Sequence, residues 1–181
     1  PSPRLENVRT YQPGRQKDFY EAHGFSPDGK KVLLSGNLEP GQHVTGMDIY
    51  WFDLEQGSLQ NLTNSPTEWD EHAQLSPDGK SIVWMSTRGF AMDPGILKNV
   101  KEMKAELWIM NADGSGRQRL TFFNEPGRVG HTGENLVFAD SSWSPDGARI
   151  LAYCFFDARQ QLGRLVMLKL RPGQSEPDGS E

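Results

Sequence analysis

The string Ser-Pro-Asp-Gly occurs three times in this chain of 181 residues, at 26–29, 76–79 and 144–147. Proline presets φ near −65°, aspartate caps the local backbone, and glycine takes the positive φ that other residues resist. Each string is therefore predicted to close a tight hairpin between two strands. A turn that recurs in this way indicates a repeated structural unit, which restricts the possible folds more than composition does.

The repeated unit extends well beyond the turn, over 23–64, 73–123 and 141–170. Each copy has a short strand, the turn, a second strand rich in Val, Ile and Leu, and a third strand after a variable gap. Copies one and two add a fourth strand that closes on Leu62-Thr63 and Leu120-Thr121. The second strands are apolar at consecutive positions, which is typical of strands packed on both faces. Four-stranded antiparallel units of this kind predict the blades of a β-propeller. A β-sandwich is the alternative, but it does not account for the recurrence of the whole unit.

The order apolar–SPDGK–apolar strand, then Asp/Glu–Ile/Leu–aromatic, then Leu-Thr resembles the TolB-like, WD-related propeller repeat, over about residues 20–170. The same repeat builds the propellers of prolyl-oligopeptidase-type enzymes. The resemblance implies an all-β propeller and a periplasmic or secreted location. We divide the chain into a leading segment at 1–19 with a strand candidate at 8–11, blades at 20–65, 66–124 and 125–170, and a polar tail at 171–181.

The number of blades predicts an incomplete ring. Propellers typically have about 4–8 blades, so three cannot close one. We expect half or a fragment of a six- to eight-bladed propeller. Either upstream blades are missing, or two copies associate as a homodimer with six blades. In the second case the front strand would complete the third blade of the other copy.

Composition argues against several classes of protein. The net charge of −5, without a basic stripe, argues against a nucleic-acid partner. No apolar run approaches the ~18 residues of a membrane span, so no membrane insertion is expected. The lone Cys154 excludes an internal disulfide framework and a cysteine-based zinc site. The sequence also lacks a GxSxG elbow, HExxH, a P-loop and GxGxxG, which favours a protein that is not an enzyme.

The long loops at 36–46, 87–105 and 123–135 are expected on the face opposite the SPDG turns, and this long-loop face is the predicted functional face. In the 87–105 loop, Ile96, Val100 and Met103 have the spacing of a short helix. The inner strands begin on the long-loop face with polar residues. The candidate ligand-binding residues are Glu21, His23, Trp69, Glu71, His72, His131 and Asp140.

Imidazole and carboxylate groups suit a divalent metal or general base chemistry, but each group can equally hydrogen-bond a neighbouring blade. His23 lies two residues before Phe25, whereas His72 lies three before the equivalent Leu75. This offset predicts that the two imidazoles point to opposite faces of their blades.

Together these features predict a non-enzymatic binding or scaffold module that recognises a protein, peptide or glycan on the long-loop face. We assign no catalytic residue and no cofactor, with a divalent metal still possible. Two alternatives stay open. One is a metal-dependent propeller enzyme of the polysaccharide-lyase type, and the other is the gating propeller of a prolyl-oligopeptidase-like peptidase.

Overall fold

Each SPDG string closes its hairpin through the same hydrogen bonds. In the first turn the Ser26 hydroxyl donates to Asp28 Oδ1 at 2.6 Å, and the N–H of Lys30 donates to the same oxygen at 3.0 Å. Gly29 has φ of 70° and donates its N–H to the Ser26 carbonyl at 2.9 Å. The other turns repeat the serine–aspartate bond in the pairs Ser76–Asp78 and Ser144–Asp146. All of these bonds are local, so the residues of each string and those directly after it supply every group that makes them.

The hairpins belong to three antiparallel sheets in a computed structural model that describes residues 2–43, 45–92, 95, 102–157 and 162–170. Within each sheet the strands pair in chain order. Blade 1 contains β1 (Tyr20–Phe25), β2 (Lys31–Gly36), β3 (Asp48–Asp53) and β4 (Leu59–Asn61). Blade 2 contains β5 (Asp70–Leu75), β6 (Ser81–Ser86), β7 (Glu106–Asn111) and β8 (Gln118–Arg119). Blade 3 contains β9 (Val137–Trp143), β10 (Arg149–Asp157) and β11 (Leu162–Lys169). The predicted fold class, all-β with consecutive propeller blades, is confirmed.

The hydrophobic core lies between the blades, because the middle strands bury both of their faces. Between blades 1 and 2, Leu33 and Ile49 belong to one cluster with Ile82 and Trp84. Between blades 2 and 3 the corresponding cluster contains Val83, Leu107, Ile150, Ala152 and Cys154. Alternate residues of one strand therefore face the preceding and the following blade. This explains why the sequence is apolar at consecutive positions.

A buried carboxylate at the start of the third strand holds the fourth strand in place. In blade 1 the Thr63 hydroxyl donates to Asp48 Oδ1 at 2.9 Å and accepts the N–H of Ile49 at 3.0 Å. In blade 2 the same bonds join Thr121 to Glu106 at 2.5 Å and Leu107 to Thr121 at 2.9 Å. We call this arrangement the carboxylate–threonine lock. It gives the repeated Leu-Thr sequence a structural reason.

The strand predicted in the leading segment has no sheet partner among the residues that the structure describes. Residues 8–11 form no strand with the part of the chain that the structure describes. Tyr11 instead packs edge-on against Phe52 of blade 1, with ring centroids 6.0 Å apart. The predicted pairing joins this segment to blade 3 of a second copy, so a single chain cannot form it. That pairing stays a prediction.

Two further predicted segments fall largely outside the described residues. These are the helix suggested by Ile96 and Val100, and the tail at 171–181. Met103, at the end of the same loop, is buried against the core between blades 2 and 3. Among the residues that are described, no helix has the length and apolar character needed to cross a membrane.

Candidate functional site

The inner strands β1, β5 and β9 contact one another in that order, and each is interrupted by a β-bulge near its start. A bulge sets two residues opposite one and turns their side chains away from the regular alternation. In β5 the bulge contains His72, whose φ of 56° lies in the left-handed region. Non-glycine residues are uncommon there, and such backbone strain often occurs at functional sites.

His72 lies among carboxylates from all three blades. Its Nδ1 is 3.1 Å from Asp140 Oδ1 of blade 3 and 3.9 Å from Glu21 Oε1 of blade 1. Its Nε2 is 3.4 Å from Glu71 Oε2, an oxygen that also accepts the indole N–H of Trp69 at 2.8 Å. The contacts converge where the three inner strands meet. We call this set, with His23, the channel-mouth cluster.

His23 is the buried member of the cluster. Its Nε2 lies 2.7 Å from the Ser35 hydroxyl oxygen and 3.7 Å from Glu21 Oε1. Burial, and then the nearby His72, lower the pKa of His23 to about 4, although Asp140 acts in the opposite direction. His23 is therefore neutral near pH 7.

The prediction that His23 and His72 point to opposite faces of their blades stays a prediction, and it agrees with a meeting of the two rings between blades 1 and 2. Their ring centroids are 6.4 Å apart. β-Bulges between Ala22 and Gly24 and between Glu71 and Gln74 interrupt the regular alternation of the strands at both histidines. Adjacent inner strands then bring the two rings together across the boundary between blades.

Six of the seven candidate residues are gathered in this cluster, and His131 is not. Its Nδ1 lies 3.0 Å from the carbonyl oxygen of Phe123, within the connection between blades 2 and 3. No contact among the described residues joins it to the cluster.

Sequence reasoning missed the buried support beneath the cluster. Asp70 accepts the indole N–H of Trp84 at 3.0 Å and the Ser65 hydroxyl at 2.5 Å. Burial raises the pKa of Asp70 to about 6, although these hydrogen bonds act against the rise. Asp70 immediately precedes Glu71 and His72, so its bonds anchor the start of the strand that carries them. The only signal in the sequence was the run of charged residues in EWDEH.

The cluster contains many hydrogen-bond acceptors, and its three carboxylate side chains differ in their exposure to solvent. The Asp140 side chain is 84% exposed, that of Glu21 37% and that of Glu71 11%. Burial raises the pKa of Glu71, while His72 and Trp69 oppose the rise. Within the described ranges, no group of three or more His, Cys, Asp and Glu residues is arranged to hold a metal ion. Carboxylate oxygens such as these accept charge-assisted hydrogen bonds from cationic groups.

The fold defines the class of protein. The chain forms consecutive blades of a β-propeller, and polar residues gather where the inner strands of those blades meet. The fold is TolB-like.

Comparison with known proteins supports the fold and leaves the activity open. No family model matches the chain. Dipeptidyl-peptidase 5 of Porphyromonas endodontalis is 38% identical over 64 residues, which is 34% of this chain and 9% of that protein. A solved protein from Agrobacterium tumefaciens assigned as TolB has a TM-score of 0.58 at 22% identity, covering 83% of this chain and 46% of the other. A puromycin hydrolase has a TM-score of 0.52 at 14% identity, covering 83% of this chain and 20% of the other. The chain therefore spans less than a tenth of the curated relative and under half of the TolB structure.

Proposed function

We propose that the chain is a propeller binding module whose channel-mouth cluster recognises a positively charged group of a peptide or protein. The observation that carries the proposal is the convergence of Glu21, Glu71 and Asp140, one from each blade, on His72. Three carboxylates close to a neutral His23 leave an excess of negative charge at one point. An ammonium or guanidinium group would compensate it with charge-assisted hydrogen bonds.

Similarity and location favour a peptide ligand. One curated relative is a dipeptidyl-peptidase, a name that implies a peptide substrate for that protein. The cluster lies at the start of the inner strands, on the side where the longer loops lie, and such loops commonly carry binding residues. As part of the same proposal, the TolB-like repeat supports a periplasmic or secreted location, which cell fractionation would test.

A catalytic role is the second candidate, because one contact favours it. The 3.1 Å separation of His72 Nδ1 and Asp140 Oδ1 is that of an imidazole oriented by a carboxylate, as in a general base. However, His72 Nε2 faces Glu71 Oε2 at 3.4 Å, where a general base would face a substrate. Turnover of fluorogenic dipeptides or oligogalacturonides that is lost in His72→Ala would establish the enzyme.

The binding proposal is tested with two peptides whose termini are blocked, acetyl-Gly-Arg-Gly-amide and its citrulline counterpart, in which a neutral urea group replaces the guanidinium. In titration calorimetry we expect the arginine peptide to bind more tightly. Glu21→Gln combined with Asp140→Asn should weaken its binding about tenfold, since a hydrogen bond to a charged group contributes ~1.5–3 kcal/mol and exposure reduces this. The citrulline peptide should be affected far less.

The matched control is Glu134→Gln, which removes an exposed carboxylate from the loop that precedes β9. It should leave both affinities unchanged. Equal binding of the two peptides, or an equal effect of the control substitution, would refute recognition of a cation by this cluster.

A further inference from the structure

Blade 3 exposes apolar side chains at positions that are buried in blades 1 and 2. The strand pairings place Leu33, Val83 and Leu151 at equivalent points of the second strand, where they are 0%, 0% and 40% exposed. At equivalent positions of the third strands, Ile49 of blade 1 and Leu107 of blade 2 are 0% exposed, whereas Leu165 of blade 3 is 68% exposed. Met167, further along the same strand, is 64% exposed. Blade 3 thus has apolar side chains at positions that pack against a neighbour in the other blades, and the described residues leave them exposed.

The outer edge of blade 3 is also open. The third strands β3 and β7 pair with β4 and β8, whereas β11 pairs with β10 alone among the described strands. An unpaired edge with apolar side chains readily accepts another strand. The segment at 171–181, RPGQSEPDGSE, contains no Leu, Ile, Val, Met or aromatic residue with which to cover Leu165 and Met167.

In blade 3 the position equivalent to Asp48 and Glu106 of the carboxylate–threonine lock has a residue of opposite charge. Asp48 pairs with Gly36, and Glu106 pairs with Ser86. In blade 3 the equivalent pair is Cys154 with Arg164, so that a guanidinium replaces the carboxylate. It lies over the Phe156 ring, 4.8 Å from the centroid. A strand suited to this edge would carry a carboxylate where the other blades carry threonine.

The leading segment contains such a strand. Residues 4–7 read Arg-Leu-Glu-Asn, residues 119–121 read Arg-Leu-Thr, and residues 61–64 read Asn-Leu-Thr-Asn. Glu6 thus occupies the threonine position. The neighbouring Leu5 is 92% exposed, whereas its counterpart Leu62 is 2% exposed and donates its N–H to the Ile49 carbonyl at 2.7 Å.

The connecting lengths agree with this alignment. Glu6 precedes β1 by 14 residues, which lies between the 7 residues from Thr63 to β5 and the 16 from Thr121 to β9. In the sequence, residues 4–7 therefore precede blade 1 as the fourth strand of one blade precedes the first strand of the next.

We propose that residues 4–7 of one copy form the fourth strand of blade 3 in a second copy. The Glu6 carboxylate pairs with Arg164 of that copy, and Leu5 covers Leu165. The exchange is reciprocal about a twofold axis, so it closes with two copies. The surface is separate from the channel-mouth cluster, and the proposal does not depend on what the cluster binds.

Charge exchange tests the pairing directly. The full chain, Glu6→Arg, Arg164→Glu and the double variant would be compared by sedimentation velocity from about 1 to about 100 µM. We expect the unmodified chain to dimerise and each single reversal to weaken the dimer at least about tenfold. The double variant should return to within about threefold of the unmodified chain, because the pair is restored with its signs exchanged. The control is Glu55→Arg, an equal charge change on the exposed turn after β3, which should have little effect.

Other outcomes would overturn the proposal. The unmodified chain could stay monomeric over the whole concentration range. This result would be expected if further blades, upstream in a longer chain, covered the open edge of blade 3. The single reversals could act no more strongly than Glu55→Arg, which would place any dimer contact elsewhere. The double variant could fail to recover while its melting curve matches that of the unmodified chain. Finally, a chain ending at Leu170 could lose the dimer, which would show that the tail makes the contact.

Discussion

Replacing Thr121 with Val tests the carboxylate–threonine lock with little change in side-chain shape. Thr121 is 2% exposed, and its hydroxyl both accepts the N–H of Leu107 and donates to Glu106. Valine leaves that N–H and one carboxylate oxygen buried without these bonds. Each buried group that loses its partner costs about 1–3 kcal/mol. Glu106 keeps hydrogen bonds from Asn124 and Arg119, so we expect the free energy of unfolding to fall by about 2–4 kcal/mol.

Urea denaturation followed by tryptophan fluorescence measures this loss. The midpoint should fall while the slope m stays constant, since the same surface is exposed on unfolding. Thr121→Ser keeps the hydroxyl and should lose less stability. Thr67→Val makes the same chemical change at an exposed position and serves as the control. If Thr121→Val lay within about 0.5 kcal/mol of that control, the lock would contribute nothing and the reasoning would fail.

Two further predictions concern pH and the turns. Because the pKa of His23 falls from 6.5 to about 4 on folding, the unfolded state binds the proton more readily, and stability should decrease as pH falls from 6.5 towards 4. Asp70, whose pKa is raised to about 6, has the opposite effect on stability in this pH range. The measurement is therefore the difference in stability between the unmodified chain and His23→Gln, and the variant should not show the loss that His23 causes. Parallel pH profiles of the two proteins would contradict the prediction. Gly147→Ala should cost about 1 kcal/mol in thermal unfolding, because its φ of 69° is unfavourable for alanine. Gly24→Ala, at a site with open space and no positive φ, should be nearly neutral, and equal losses at the two sites would show that φ is not the cause.

The features that the sequence predicted well are those that depend on local chemistry. Ser26, Asp28 and Gly29 form their turn with bonds inside six residues, so three copies of the string were enough to locate three hairpins. The apolar runs around Leu33 and Val83 predicted strands buried on both faces for a similar reason, since burial on both sides leaves no polar alternation.

The candidate site was predictable in membership but not in geometry. The charged, imidazole and indole side chains near the starts of the inner strands included the six residues that come together. Their directions depended on the bulges, which arise from pairing between strands and have no signature in the spacing of His23 and His72. His131 was grouped with them by its place on the predicted functional face, yet it bonds within its own connection.

By itself, the sequence determined the repeat, the turns, the strand content and the charged composition of the site, because each follows from a residue's own backbone preference or from a short pattern. Only the tertiary structure decided that Thr121 and Glu106 act together, that His72 faces carboxylates from three blades, and that Arg164 stands where Asp48 stands in blade 1. Each of these depends on which strands lie beside one another and in what register. A shift of one residue in that register would turn every one of these side chains to the other face.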